Sequence, residues 1–275
     1  MTRLVHSRAE FFGAREALAG PVGLVPTMGA MHAGHQALIE TAVRAGESTV
    51  VTVFVNPMQF GPAEDLARYP RTLEADVARC AAAGVDLVWA PAVEDVYPGG
   101  AARISVDAGP LGDELDGASR PGHFAGVLTV VAKFFGLVRP ATAFFGEKDY
   151  QQLTLVRQLA ADLDLFVGVA GVPTVREPDG LALSSRNVYL SAAERPRAVA
   201  LSRALFAGQD AAGGGADAVL SAARAVLAAA DGVDVDYLAL RDCDLGPAPE
   251  HGSARLLIAA RVGRTRLIDN VAVPL

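Results

Sequence analysis

Along the first two-thirds of the chain, short apolar runs alternate with stretches whose apolar residues recur every three or four positions. "VGLVPT" (22–27) has the pattern of a short apolar strand. Leu38, Ile39, Ala42 and Val43 then fall on one face of a helix over 35–45, which Gly46 closes. "STVVTVFVNP" (48–57) is β-branched and apolar on both faces, as a buried parallel strand must be. A helix near 72–83, the strand "VDLVWAP" (85–91), a helix near 124–138 and the strand "ATAFFG" (141–146) follow. Leu153, Val156, Ala160 and Leu163 line up along a helix over 149–163, and "LFVGVAGVP" (165–173) supplies another strand. Repeated βα units predict a doubly wound parallel sheet whose site lies at the carboxyl ends of its strands.

After Pro173 the pattern changes. Two Ala-rich helices, about 192–207 and 215–230, precede the strands "VDVDYLAL" (233–240), "ARLLIAARV" (254–262) and "TRLIDNVAV" (265–273). Their short connections predict an antiparallel meander. "GQDAAGGGADA" (208–218) reads as a flexible loop between the two helices. Pro196 falls late for a helix capped by Ser191 and Glu194, which leaves that helix start open. The fold class is therefore α/β: a Rossmann-like doubly wound parallel sheet over 1–173 and a smaller C-terminal α+β domain, a candidate lid, over 174–275. A cleft between two such domains is a common place for small-molecule sites.

Composition narrows the class. A net charge of −7 and the lack of a basic tract argue against nucleic acid as a partner. No apolar run is long enough to span a membrane. The N-terminal stretch carries Glu10 and Glu16 and no signal-peptide core, and Cys80 and Cys243 stand apart without ligand spacing. These features point to a cytoplasmic protein with reduced thiols. Of 24 basic residues only Lys133 and Lys148 are lysines, so the chain writes its positive charge as arginine.

"VPTMGAMHAGHQALIETAVRAGE" (25–47) places His32 and His35 three residues apart where a helix begins. A helix N-terminus offers unpaired N–H groups and a partial positive charge, and Gly29 and Gly34 allow close approach. Imidazoles three apart share a helical face, so both can reach one phosphate chain. The plain alternative is capping and packing, which the glycine spacing alone does not exclude. A metal site needs further ligands, which no HExxH and no carboxylate near in sequence supplies. "GEKD" (146–149) sits at the end of a predicted strand, where Lys148 offers a compact charge on a flexible stem. The plain alternative is a surface lysine, but an ordinary surface cation in this chain would be arginine. Asp149 and Gln152 match a capping-box pattern, and "LSSR" (183–186) offers two hydroxyls and a guanidinium that also suit a turn.

"PTMGAMHAGH" resembles the HxGH signature of nucleotidylyltransferase-type Rossmann proteins, and more narrowly that of the pantothenate synthetases, or pantoate–β-alanine ligases. "FVNPMQF" (54–60), "DLARYPRT" (65–72), "GASRPGHFAGV" (117–127), "FFGEKDYQQL" (144–153), "DGLALSSRN" (179–187) and "RLIDN" (266–270) fit the same family in order and at matching intervals. The resemblance covers essentially the whole chain.

That resemblance implies ATP-dependent condensation of pantoate with β-alanine through pantoyl adenylate, releasing pyrophosphate and then AMP. It implies ATP contacts from Met28, Gly29, Ala30, Met31, His32, Ala33, Gly34 and His35, with His35 as proton donor and His32 beside it on the phosphates. Gly146, Glu147, Lys148, Asp149, Val175, Leu183, Ser184, Ser185 and Arg186 complete the implied ATP set, and His32, His35 and Lys148 the catalytic one. Gln59 and Gln152 would bind pantoate, Gln59 also β-alanine, and Arg120 and His123 would form a mobile polar wall outside this core. Without the resemblance Gln59 reads as an ordinary loop residue, and Lys133 matches no family site and is left structural. Met31 departs from the family's usual leucine, and the acidic stretch after "YPRT" leaves Asp76 as the one candidate to touch magnesium. The ion is expected to arrive with ATP and keep several waters, with no metal ligand assigned. A homodimer is also implied.

Overall fold

A computed structural model describes residues 1–61, 66–100 and 102–275. Asp65, the first residue of the "DLARYPRT" motif, lies outside the described residues. The chain divides into two compact units, one of residues 1–146 and 155–172, the other of residues 147–154 and 173–275. Residues 147–154 thus group with the second unit, whereas the division expected near 173 left them in the first.

The first unit is built from β1 (Arg3–Val5), α1 (Arg8–Glu16), β2 (Val22–Thr27), α2 (Ala33–Arg44), β3 (Ser48–Val53), α3 (Leu73–Ala83), β4 (Leu87–Trp89), α4 (Val93–Val96), α5 (Asp116–Ser119), α6 (His123–Val138), β5 (Thr142–Gly146), most of α7 (Tyr150–Asp162) and β6 (Gly168–Val172). Its six strands are parallel in the order β1-β4-β3-β2-β5-β6. The chain runs outward from β2 through β3 and β4, then returns to the other side of β2 with β5. The strand order therefore reverses between β2 and β5, whose carboxyl ends are Thr27 and Gly146. Such a reversal opens the crevice where open α/β sheets bind ligands. Val22, Leu24, Val25, Val50 and Val51 are wholly buried, which explains why β2 and β3 read as continuous apolar runs. Trp89 stacks on Phe11 with ring centroids 4.2 Å apart, closing the β4 end of this core.

Two expected strand boundaries move, each for a local reason. The strand expected over 48–57 stops at Val53, because the Asn56 side chain accepts from the Met58 N–H and caps a 3₁₀ turn, Pro57–Gln59. The strand expected over 165–173 begins only at Gly168, because Asp164 and Phe166 adopt φ of 48° and 52° and break the extended run.

The second unit packs α8 (Glu194–Asp210) and α9 (Gly215–Ala228) on an antiparallel sheet of β7 (Val233–Asp242), β8 (Ser253–Val262) and β9 (Thr265–Pro274), in the order β7-β8-β9. Leu201, Leu205, Val219, Ala223, Leu256 and Ile258 form its core. Pro196 is the third residue of α8, where an N–H has no intrahelical partner, so the helix tolerates it. Ser191 and Glu194 exchange hydrogen bonds just before it, with Ser191 N–H to Glu194 Oε2 at 2.8 Å and Glu194 N–H to Ser191 Oγ at 3.3 Å. The loop expected over 208–218 shrinks to a 3₁₀ turn, Ala212–Gly214. Gly208 is a buried helical residue, and a Cβ there would lie 2.6 Å from Leu256 Cδ2, so its role is close packing. Burial, helped by the Asp76 charge, pushes the Cys80 thiol up to about 12. No described helix is long and apolar enough to cross a membrane.

Candidate functional site

In the first unit the loop after β2 carries the histidines. Gly29 has φ of 81°, and a Cβ there would lie 3.0 Å from both Asp76 Oδ2 and Val53 Cγ1, so only glycine fits. Asp76 lies beneath this loop and is 1% exposed. Its Oδ2 accepts from the Ala30 N–H at 3.0 Å and the Thr72 hydroxyl at 3.1 Å, and its Oδ1 from the Met31 N–H at 2.8 Å. This corrects the expectation that Asp76 touches magnesium: the carboxylate is buried and occupied by backbone N–H groups, and its task is to shape the loop.

His32 is the N-cap of α2, and its Nδ1 accepts from the Gly34 N–H at 3.1 Å. His35 reaches back, its Nδ1 accepting from the His32 N–H at 3.3 Å. The two rings stand 4.2 Å apart. This is a capping box built from two histidines. An Nδ1 that accepts a hydrogen bond carries no proton, so each neutral ring holds its proton on Nε2 and uses that atom as a donor. The capping reading is thus borne out, and the tautomer it sets leaves an Nε2–H donor on each ring. Gly34 follows from the same geometry, because a Cβ there would lie 2.8 Å from His32 Cε1. Among the described residues no group of three or more His, Cys, Asp or Glu is placed to hold a metal ion.

Gln59, at the end of the 3₁₀ turn, belongs to the same unit. Its Nε2 lies 3.3 Å from Met28 Sδ, and its Oε1 accepts from Asn56 Nδ2 at 3.1 Å. Asn56 is buried, gives a second bond to the Gly126 carbonyl at 3.1 Å, and accepts from the Tyr97 hydroxyl at 2.9 Å. His123 Nδ1 lies 2.9 Å from the Gln59 carbonyl oxygen, and its Nε2 is 2.8 Å from Arg120 NH1. With a proton on Nδ1 the ring donates to Gln59 and accepts from the guanidinium, which ties this polar wall to the Gln59 turn. Sequence reasoning missed Asn56 and Tyr97. Asn before Pro in "FVNPMQF" was the available signal for the first, and nothing local marks the second. Lys133 lies over the Tyr97 ring at 5.3 Å, a structural contact.

In the second unit Lys148 sits in a 3₁₀ turn, Glu147–Asp149, directly after β5. Its Nζ is 3.7 Å from Asp149 Oδ1, and its side chain is 17% exposed. Asn270 Nδ2 donates to the Glu147 and Lys148 carbonyls at 2.8 and 3.0 Å. Arg255 NH2 reaches Glu147 Oε2 at 3.3 Å while its guanidinium covers the Tyr150 ring at 4.0 Å. Beside Asn270, buried Asp269 takes a two-pronged bond from Arg176 at 2.6 and 2.8 Å. Burial pushes the Asp269 carboxyl up, and the Arg176 guanidinium opposes that shift. The Leu183 N–H donates to the Val175 carbonyl at 2.9 Å. Ser184 caps a 3₁₀ turn, Ser185–Tyr189, its Oγ accepting from the Arg186 N–H at 3.2 Å, so the turn reading of "LSSR" holds for that serine. Arg186 has no side-chain partner among the described residues. Gln152 lies in the first turn of α7 within this unit.

A family model described as pantoate-beta-alanine ligase matches residues 3–272. A pantothenate synthetase of Salinispora arenicola is 58% identical over 278 residues, covering 100% of this chain and 99% of that protein. Among solved structures, a pantothenate synthetase of Thermus thermophilus superposes with a TM-score of 0.92 at 51% identity, over 98% of each chain. The pantoate-beta-alanine ligase of Francisella tularensis, described as complexed with beta-gamma ATP and beta-alanine, gives a TM-score of 0.81 at 32% identity, over 98% of this chain and 97% of its own.

Proposed function

We propose how a member of the pantoate–β-alanine ligase family, to which this chain belongs, uses ATP to condense pantoate with β-alanine. The pantoate carboxylate attacks the α-phosphorus of ATP and pyrophosphate leaves. The amine of β-alanine then attacks the acyl carbon of pantoyl adenylate, and AMP leaves as pantothenate forms. Two anions must meet in the first step, so the protein has to offset repulsion and align the groups. No covalent enzyme nucleophile is needed.

The observation that carries this reading is the two-histidine box. It supports two neutral Nε2–H donors at a helix N-terminus, a place that already favours phosphate. We assign the triphosphate to His32, His35, Lys148 and Arg186, with the proton-donor role on His35. Residues 28–31, 33, 34, 146, 147, 149, 175 and 183–185 serve as the remaining ATP contacts. Pantoate goes to Gln59 and Gln152, whose amides recognise hydroxyls and a carboxylate without adding charge, and β-alanine to Gln59. Among the described residues none is placed as a direct magnesium ligand, because Asp76 is occupied. An ion accompanying ATP would take phosphate and water oxygens, and no step is routed through it. The active species in this reading is a homodimer.

One assay tests the reaction. AMP release should require ATP, pantoate and β-alanine together, and omission of pantoate should abolish it. AMP formation supported by a different acceptor would favour another nucleotidylyltransferase of the HxGH group.

Asp76 provides a second test. In Asp76→Asn one acceptor oxygen becomes an NH₂ facing a backbone N–H, so the loop must shift. Misplacing the histidines by about 1 Å is expected to lower turnover about tenfold to 100-fold. Unchanged turnover in the folded variant would remove Asp76 from the positioning of the loop.

A further inference from the structure

We propose that Asn270, on the last strand of the C-terminal sheet, is a positioning residue for Lys148, fixing the backbone from which that lysine reaches the phosphates. The inference rests on the assignment of Lys148 to the triphosphate. A 3₁₀ turn of three residues cannot hold its own orientation, because its hydrogen bonding is short and its geometry poor. Here two successive carbonyls of the turn, on Glu147 and Lys148, converge on one amide nitrogen, Asn270 Nδ2.

The amide has one workable orientation. Asn270 is 3% exposed, and its Oδ1 accepts from Arg255 NH1 at 3.1 Å. Turning the amide over would set its NH₂ against the guanidinium and its oxygen against two carbonyls. The main chain of Asn270 is tied as well. Its N–H donates to Asp269 Oδ1 at 2.7 Å, and its carbonyl accepts from Arg176 NH2 at 3.2 Å. Arg176 and Asp269 thereby lock the residue to the sheet, in register with Leu257 of β8. Arg255 holds the turn a second time through Glu147 and Tyr150, and the Tyr150 hydroxyl donates to the Cys243 carbonyl at 3.0 Å. The turn that carries Lys148 is thus braced by β8 and β9, strands more than 100 residues later in the chain.

This arrangement gives Asn270 a chemical consequence beyond stability. Removing its amide frees the Glu147 and Lys148 carbonyls, and the turn can rotate without unfolding the sheet. The Nζ charge is then spread over several positions instead of one. Charge stabilisation in a transition state depends on donors fixed before the reaction begins.

The test is a double-mutant cycle read by steady-state kinetics and by pyrophosphate exchange. Asn270→Ala is expected to lower kcat about tenfold to 100-fold while the KM values for pantoate and β-alanine change less than about threefold. In a Lys148→Ala background the same change is expected to cost less than about twofold more, because the charge it positions is already gone. An equal loss in both backgrounds, or normal kcat in Asn270→Ala alone, would overturn the proposal. If Asn270→Ala does not fold, Asn270→Leu, which is close to asparagine in size and shape and carries no donor, is read in the same way, and failure of both to fold would make the residue purely structural. Normal activity in Lys148→Ala alone would instead overturn the assignment of Lys148 itself.

Discussion

Lys148→Ala is expected to lower turnover about 100-fold or more, because the step that forms the adenylate loses a positive charge placed for its transition state. The lysine stands two residues after Gly146, the last residue of β5. It is one of two lysines in a chain that otherwise uses arginine, and the other, Lys133, lies over Tyr97. Its partner Asp149 is 3.7 Å away and half exposed, a weak tie that a phosphate can displace. Folding should survive the truncation. The bonds that hold the turn run to the main-chain carbonyls of residues 147 and 148, which alanine keeps. Lys148→Arg separates charge from shape: a planar fork retains the charge but not the compact ammonium, so only partial activity should return. Initial rates at saturating ATP, pantoate and β-alanine decide the matter. Near-normal pantothenate formation by the alanine variant would overturn the role of Lys148.

What was legible in the chain follows the range of the forces involved. Elements defined by their own periodicity appear where the pattern put them. The helix expected near 124–138 is α6, over His123–Val138, and the three C-terminal strands form the expected antiparallel meander. Boundaries moved where one side chain or one dihedral overruled the pattern, as at Asn56 and Phe166. Gly208 misled because glycine marks both a loop and a close helix–sheet contact, and only the neighbouring Leu256 tells which. The HxGH residues were visible, but their tautomers were not, since these depend on which nitrogen accepts from the backbone. The supporting residues were least legible of all. Asp76 acts on N–H groups 45 and 46 positions away, and Asn270 on carbonyls 122 and 123 positions away. No spacing rule along a sequence spans such separations.

Labelled pyrophosphate should exchange into ATP when pantoate is present and β-alanine is absent. The expectation follows from the division of roles proposed above. Gln59 and Gln152 hold pantoate, while His32, His35, Lys148 and Arg186 hold the triphosphate, so the first step needs no amine. Reversal of that step returns pyrophosphate to ATP. The adenylate is a mixed anhydride that water destroys, so exchange also reports how well the protein keeps it from solvent. Arg186 sharpens the test. Its backbone N–H is fixed by the Ser184 hydroxyl, and its guanidinium has no partner among the described residues, which leaves the charge available to an anion. Arg186→Ala is therefore expected to lower the exchange rate about tenfold or more, in step with its effect on overall turnover. A loss confined to the overall reaction would instead place Arg186 in the transfer of the acyl group to β-alanine. Exchange that strictly requires β-alanine would rule out a free-standing adenylate and demand that all three substrates react in one concerted event.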